Sequence, residues 1–273
     1  MTFAVPFSMG PALLFCPADR PERFAKAADR ADAVILDLED AVAPDAKQSA
    51  RENLAAHPLD PARTIVRINA ASTADFEADL AALATTPYRT VMLAKAESVE
   101  QVRQLPDLDV VALCETALGV LNCGGIAAEP NVVGLMWGAE DLIASLGGTS
   151  SRADDGGYRA VALHARSTVL LSAGAFGKAA IDAVYTAIPD LAGLATESVD
   201  AAASGFTAKA CIHPSQVAVV REAYAPSEEA VVAARELLAA AETAGTGVFQ
   251  HQGRMIDGPI LRHAESVLRR AGV

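Results

Sequence analysis

Short apolar runs rich in Val, Ile and Leu recur about every 20 to 25 residues along most of the chain, with Ala-rich stretches of helical spacing between them. Eight of these runs read as strands: Leu13 to Pro17, Ala33 to Asp40, Thr64 to Ala70, Thr90 to Ala96, Val110 to Thr116, Val132 to Gly138, Ala179 to Val184 and Thr207 to His213. They are continuously apolar, as strands covered by helices on both faces are, and each gap can hold the crossover that parallel neighbours require. Helix signals fill the gaps. Asp19 is placed to cap a first helix that takes Pro21 into its opening turn and runs to about Ala28, and Pro44 suits the turn before Lys47 to Ala56. Ser72 or Thr73 can cap Ala74 to Ala84, and Ser98 can cap Val99 to Gln104. The longest gap, Gly138 to Ala179, carries Gly147, Gly148, Gly156 and Gly157 in a polar stretch before a helical run from Tyr158 to Ala175, which suits an active-site loop.

Eight β/α units predict a (β/α)8 TIM barrel, because closure buries every strand and leaves no edge; a doubly wound open sheet is the alternative. After the eighth strand come helices near Ser215 to Tyr224 and Glu228 to Glu242, a Gly-punctuated segment from Gly245 to Gly258, and a final helix to Arg270. The barrel needs only the first of these. Residues 1–225 are therefore expected to form the barrel domain and residues 226–273 a C-terminal helical lid extension that covers a neighbouring active site or supports oligomerisation.

Composition narrows the classes. With 52% hydrophobic and 21% charged residues, the 273-residue chain can bury a sizeable core, which excludes general disorder. The 22 Lys and Arg against 34 Asp and Glu give a net charge of −12 with no basic run, which argues against nucleic-acid binding. No apolar stretch reaches the roughly 18 residues of a membrane span, and the N-terminus lacks the order of a signal peptide, so a cytoplasmic protein without membrane attachment is expected. Cys16, Cys114, Cys123 and Cys211 lack C-x-x-C spacing and read as buried reduced thiols.

Polar residues interrupt the strands at their C-terminal ends, where a (β/α)8 barrel places its reactive groups. Strand 2 ends in Asp37-Leu-Glu39-Asp40, strand 3 in Arg67-Ile-Asn69, strand 4 in Lys95-Ala-Glu97 and strand 5 in Glu115-Thr116. Strand 6 ends in Trp137-Gly138 with Glu140-Asp141 directly after, and strand 8 in His213-Pro214. One such residue alone reads as a rim salt bridge or a cap; several together point to one mouth. Glu115 and Asp141, from adjacent strands, offer the carboxylate oxygens that Mg²⁺ takes together with water and ligand oxygens. The alternative is that Asp141 pairs within its helix and Glu115 with Arg67. His57 and His164 lie on or near helices, His251 and His263 in the extension, and His213 alone at strand 8, so the sequence offers no zinc cluster. Arg67 is a forked donor on a strand, costly to bury without a carboxylate or phosphate; it either holds an acid substrate or pairs structurally with Asp37 or Glu39. The turn from Gly138 to Asp141 opens a helix with backbone N–H groups that favour a substrate carboxylate beside the metal. Lys95 reads as a salt-bridged rim lysine rather than a Schiff-base former. Neither G-x-x-x-x-G-K-[ST] nor G-x-G-x-x-G follows a strand, which argues against nucleotide hydrolysis and dinucleotide binding.

The segments Leu14-Phe-Cys-Pro-Ala-Asp-Arg-Pro-Glu-Arg23, Ile35-Leu-Asp-Leu-Glu-Asp-Ala-Val42, Val66-Arg-Ile-Asn69, Lys95-Ala-Glu-Ser98, Trp137-Gly-Ala-Glu-Asp-Leu142 and Cys211-Ile-His-Pro-Ser-Gln216 span nearly the whole chain. In order, they resemble the citrate lyase β-subunit-like branch of the HpcH/HpaI aldolase superfamily, above all its stand-alone actinobacterial type. The resemblance implies a (β/α)8 barrel with Mg²⁺ on Glu115 and Asp141, an oxo acid such as oxaloacetate or pyruvate held by Arg67, and a homotrimer in which the C-terminal segment lies over a neighbour's site. It further implies Asp257, in Gly253-Arg-Met-Ile-Asp257, as the acid/base carried by that lid; read without it, Asp257 is a solvated loop acid. Ala94 departs from the family, which often has proline before the lysine.

The implied chemistry is cleavage, or the reverse condensation, of a β-hydroxyacyl-CoA such as citramalyl-, malyl- or citryl-CoA to an oxo acid and acetyl-CoA. Arg20 and Arg23 are candidates for coenzyme A phosphate contacts. Two other readings compete: an oxo-acid-binding citrate lyase β-type subunit that needs an acyl-carrier partner, and a class II pyruvate aldolase. Asp257 favours the acyl-CoA lyase over the first, and the lack of a histidine after strand 2 disfavours the second.

Overall fold

The computed structural model of the protein describes residues 7–245 and 247–272. Strands β1 (Ala12–Pro17), β2 (Ala33–Asp37), β3 (Thr64–Ile68), β4 (Thr90–Leu93), β5 (Asp109–Cys114), β6 (Val132–Trp137), β7 (Ala179–Asp182) and β8 (Ala208–Cys211) run parallel and in sequence order around a closed barrel. β8 pairs with β1, which excludes the open sheet. The crossovers carry α1 (Phe24–Arg30), α2 (Lys47–Ala56), α3 (Asp75–Leu83), α4 (Val99–Val102), α5 (Ala117–Ala127), α6 (Ala139–Ser145), α7 (Ala160–Ala175) and α8 (Leu191–Ser204), and α9 (Pro214–Tyr224) follows β8. All four cysteines are buried thiols. Among the described residues, no helix is long and apolar enough to cross a membrane.

Side-chain parity explains the mouth. Leu13, Ile35, Ile65, Met92, Leu113, Met136 and Ile181 belong to one buried cluster inside the barrel. Successive strand residues point to opposite faces, so two residues beyond an inward residue lies another inward one. That step leads from Ile35 to Asp37, from Ile65 to Arg67, from Leu113 to Glu115 and from Met136 to Gly138. The apolar layer thus hands over to a polar layer at the C-terminal end. Truncating a cluster member such as Ile35 or Leu113 to alanine is expected to cost about 2 to 5 kcal/mol.

Most strands end two or three residues sooner than their apolar runs. At β2 the cause is Asp37, whose carboxylate takes the N–H groups of Glu39 (2.8 Å) and Ala41 (3.2 Å) and turns the chain out of the ladder. Ser98 does cap its helix, with Gln101 completing the capping box. Two other expected caps are absent. Arg20, not Asp19, stands before the 3₁₀ turn Pro21–Arg23, and Asp19 lies beside the Arg20 guanidinium (3.6 Å). Ala74 occupies the cap position of α3, and the Thr73 hydroxyl donates back to Ala70 O (2.8 Å) in a local turn.

The chain divides into two compact units, one up to Val220 and one from Arg221. In the second, α10 (Glu228–Ala244) and α11 (Gly258–Ala271) bury Ala234, Ala264 and Val267 against Leu237, Leu238 and Leu268. The stretch read as merely Gly-punctuated holds a hairpin, β9 (Phe249–His251) and β10 (Arg254–Ile256). Gln252 (φ +48°) and Gly253 (φ +78°) form its two-residue turn, which needs positive φ at both positions.

Candidate active site

The barrel mouth gathers Asp37, Glu39, Arg67, Lys95, Glu115, Gly138 and Asp141 around a cavity of about 180 Å³ or along its edge. Asp37 and Arg67 are paired in register on β2 and β3, and the bond is bidentate: Nε to Oδ1 at 2.7 Å and NH2 to Oδ2 at 2.6 Å. NH1 lies 2.9 Å from Glu39 Oε2, and the guanidinium sits 4.9 Å from the centroid of the Phe15 ring. The structural pair anticipated for Arg67 is therefore present with both acids. It fixes the plane of the guanidinium at the cavity wall, and a guanidinium carries five N–H donors, so capacity for a ligand carboxylate remains.

Lys95 follows β4 in the left-handed region (φ +49°), which costs a non-glycine residue roughly 1 kcal/mol. Its N–H reaches Glu115 Oε1 (3.2 Å), and that bond helps to hold the turn. The ammonium bonds Glu39 and lies 3.3 Å from Asp40, 3.7 Å from Asp141 and 4.0 Å from Glu115. Burial opposes its charge, but the Glu39 bond and the surrounding carboxylates outweigh this and push its pKa upward. A lysine so protonated is a poor Schiff-base nucleophile.

Glu115 is only 2% exposed, and burial, then the neighbouring charge of Asp141, push its pKa up to about 8 against the pull of Arg67 and Lys95. Asp141 stands in the first turn of α6, which opens at Gly138 without a side-chain cap. Gly138 is required there: a Cβ would come within 2.7 Å of Glu115 Oε2 and 2.9 Å of its Cβ. The cluster sets five carboxylates (Asp37, Glu39, Asp40, Glu115, Asp141) against two cations (Arg67, Lys95), an excess of three negative charges when all are ionised. A divalent cation fits this deficit and would relieve the burial of Glu115. No group of three or more His, Cys, Asp or Glu side chains forms a metal cage among the described residues. Two carboxylates completed by water and substrate oxygens suit a hard ion of the Mg²⁺ type.

Asp257 lies in the second unit, directly after β10, as the N-cap residue of α11 with no side-chain cap bond. Behind the mouth stand supports that the strand ends do not reveal. Lys47 gives all three ammonium donors to Leu38 O (2.7 Å), Glu39 O (2.9 Å) and Asn69 Oδ1 (2.8 Å). Asp79, fully buried, takes the N–H and side-chain amide of Asn69 and the Arg51 guanidinium. The available signals were a charged residue on the inner face of each of the helices α2 and α3. Equally hidden in the sequence was a second buried network of Trp137, Arg166, Asp182, Glu197 and Lys209 on the outer face of β6 to β8.

Comparison with known proteins identifies the family. The profile of the HpcH/HpaI aldolase/citrate lyase family matches residues 12–214, and that of a "C-C_Bond_Lyase of the TIM-Barrel fold" matches residues 160–273. A citrate lyase subunit beta-like protein of Mycobacterium tuberculosis is 60% identical over 263 residues, 96% of either chain. The mitochondrial citramalyl-CoA lyase of Homo sapiens is 34% identical over 94% of this chain and 84% of its own. The crystal structure of CitE from Mycobacterium tuberculosis in complex with magnesium, acetoacetate and coenzyme A superimposes with a TM-score of 0.92 at 59% identity, over 98% of this chain and 100% of that one. Barrel, charged mouth and sequence agree: the chain belongs to the HpcH/HpaI aldolase/citrate lyase family of carbon–carbon lyases.

Proposed function

We propose that this lyase is Mg²⁺-dependent and cleaves, or forms, a β-hydroxyacyl-CoA thioester of the citramalyl, malyl or citryl type, giving an oxo acid and acetyl-CoA. The observation that carries the reading is the uncompensated negative charge at a mouth whose cavity is lined by Glu115, Asp141 and Arg67. The magnesium, acetoacetate and coenzyme A bound by the CitE relative, and the name of the human citramalyl-CoA lyase, support it.

Glu115 and Asp141 would hold the metal, which when bound would supply Lewis-acid polarisation of the substrate hydroxyl and of the carbonyl that replaces it. Arg67, locked by Asp37 and Glu39, binds the substrate carboxylate and fixes its orientation; the α6 N-terminus at Gly138 adds backbone donors. Lys95 stays protonated, spaces Glu39 from Glu115 and Asp141, and takes no part in covalent chemistry. In the cleavage direction the β-hydroxyl gives its proton to the Asp257 carboxylate, the C–C bond breaks, and its electron pair passes to the thioester as an enolate, which takes that proton back. Asp257, carried on the lid of a neighbouring subunit in a homotrimer, protonates the enolate carbon to give acetyl-CoA. Residues 226–273 are that lid. The buried thiols suit a cytoplasmic enzyme.

The test is to incubate the purified protein with Mg²⁺ and a panel of these thioesters and follow acetyl-CoA and oxo acid. Release from at least one, abolished by EDTA, is expected. Oxaloacetate binding without cleavage of any free thioester would overturn the reading in favour of a carrier-dependent subunit. Asp257→Ala is expected to abolish turnover and leave metal binding intact.

A further inference from the structure

The loop between α6 and α7 is tied to the barrel by a ring of polar contacts that the proposed reaction does not use. The Arg152 guanidinium lies 3.8 Å from the centroid of the Tyr158 ring and 5.0 Å from that of Tyr185. It donates from NH1 to Gly156 O (2.9 Å) and from NH2 to Glu197 Oε2 (2.7 Å). Glu197 Oε1 accepts from the Tyr158 hydroxyl (3.2 Å) and from Lys209 Nζ (2.9 Å). Lys209 continues to Asp182 Oδ2 (2.8 Å), and Asp182 Oδ1 accepts from Trp137 Nε1 (2.8 Å). Trp137 packs edge-on against Tyr158, with 5.1 Å between ring centroids, and the ring closes.

This ring reaches the metal-binding turn at both ends. Trp137 is the residue before Gly138. Next to Arg152, the buried Ser151 donates its hydroxyl to Glu140 Oε1 (2.6 Å), and its carbonyl accepts from Arg159 N (2.8 Å). The turn carrying Glu140 and Asp141 is thus gripped by Trp137 before it and Ser151 after it, and Arg152 joins the two grips.

We propose that Arg152 is a positioning residue: it pins the loop to Glu197 and Tyr158 so that Ser151 holds Glu140 and Asp141 keeps its metal-binding orientation. The inference rests on Asp141 as a Mg²⁺ ligand. Arginine is needed because one planar group stacks on Tyr158 while its fork serves Glu197 and Gly156 O; lysine keeps the charge but lacks both plane and fork. Groups that hydrogen-bond a metal ligand directly typically change metal affinity about 10- to 100-fold when removed; Ser151 and Arg152 act through Glu140, the neighbour of the ligand, so the lower end of that range is expected.

The test is calorimetric titration of Mg²⁺ into wild type, Arg152→Lys and Ser151→Ala, with hydrogen exchange of the 138–145 amides and thermal melting in EDTA. Mg²⁺ affinity is expected to fall about 10-fold in both variants. Amide exchange in the turn rises, while melting without metal moves little, and excess Mg²⁺ restores turnover in Arg152→Lys. Unchanged Mg²⁺ affinity in both variants overturns the inference, whatever happens to turnover. If Arg152→Lys melts far lower, Ser151→Ala, which removes a single hydroxyl, decides. A wild type that binds no Mg²⁺ refutes the metal assignment instead, and the exchange rates then decide whether Arg152 orders the turn.

Discussion

Glu115 and Asp182 are both carboxylates at C-terminal strand ends, 2% and 0% exposed, yet their proton affinities move in opposite directions. Burial works against both charges. At Asp182 the charges of Lys209 and Arg166 outweigh it and hold the carboxyl below the usual range. At Glu115 the next largest influence is another acid, Asp141, and the pKa climbs to about 8. The surroundings follow the same division. The outer network sets Asp182, Glu197 and Asp200 against Arg152, Arg166 and Lys209, three of each sign, each in an ion pair. The ion-paired cluster at the mouth sets five acids against two bases, and Glu140, which also lines the cavity, adds a sixth acid. A closed account of charge marks a fold support; an open one marks a place for a ligand.

Breaking the balanced network has the largest expected effect on stability. Lys209→Met leaves Asp182 buried without its main partner and is expected to cost about 3 to 5 kcal/mol in urea unfolding. At the mouth the cost falls on function. Asp141→Asn removes one of the two proposed metal ligands, and turnover is expected to drop roughly 10³-fold, several kcal/mol of metal assistance at 1.36 kcal/mol per decade, with folding preserved.

The pH response separates the two carboxyls further. With its folded pKa raised from 4.5 to about 8, ionised Glu115 opposes folding, and the penalty grows as pH rises through that window. In EDTA, Glu115→Gln is therefore expected to melt above wild type by roughly 5 °C near pH 8, with the gap closing towards pH 5 and in the presence of Mg²⁺. Asp182, with a depressed pKa, stabilises above its ordinary 3.8 and loses that contribution as pH falls through its folded value. The smallest effect is expected at Asp40, largely exposed: Asp40→Asn should change stability by less than about 0.5 kcal/mol. A larger loss would mean that the mouth is as tightly balanced as the outer network.

The barrel and its mouth were legible because charges that interrupt apolar strands at inward positions have few other uses. Asp37, Arg67 and Glu115 each stand two residues beyond an inward Ile or Leu. The outer network was harder to read: Asp182 and Lys209 sit in the alanine-rich β7 and β8, on the face that meets the helices, where a lone charge reads as a rim pair. The helix α5, Ala117–Ala127, escaped a definite prediction because it is apolar nearly all round and carries three glycines, so no stripe stands out. The hairpin at 249–256 was hidden by its shortness, three residues per strand, and its only cue was Gly253. Lys47 and Asp79 act through backbone carbonyls and Asn69, partners that only the folded chain brings together.

The claim that the unbalanced mouth is a magnesium site is tested most directly by binding of Mn²⁺, as a magnetic substitute, followed by electron paramagnetic resonance on wild type and Glu115→Gln. One saturable ion per wild-type chain is expected, displaced by Mg²⁺, with affinity that rises towards pH 8 as Glu115 ionises, and no saturable binding in the variant. Absence of binding to wild type, or undiminished binding to Glu115→Gln, would contradict it.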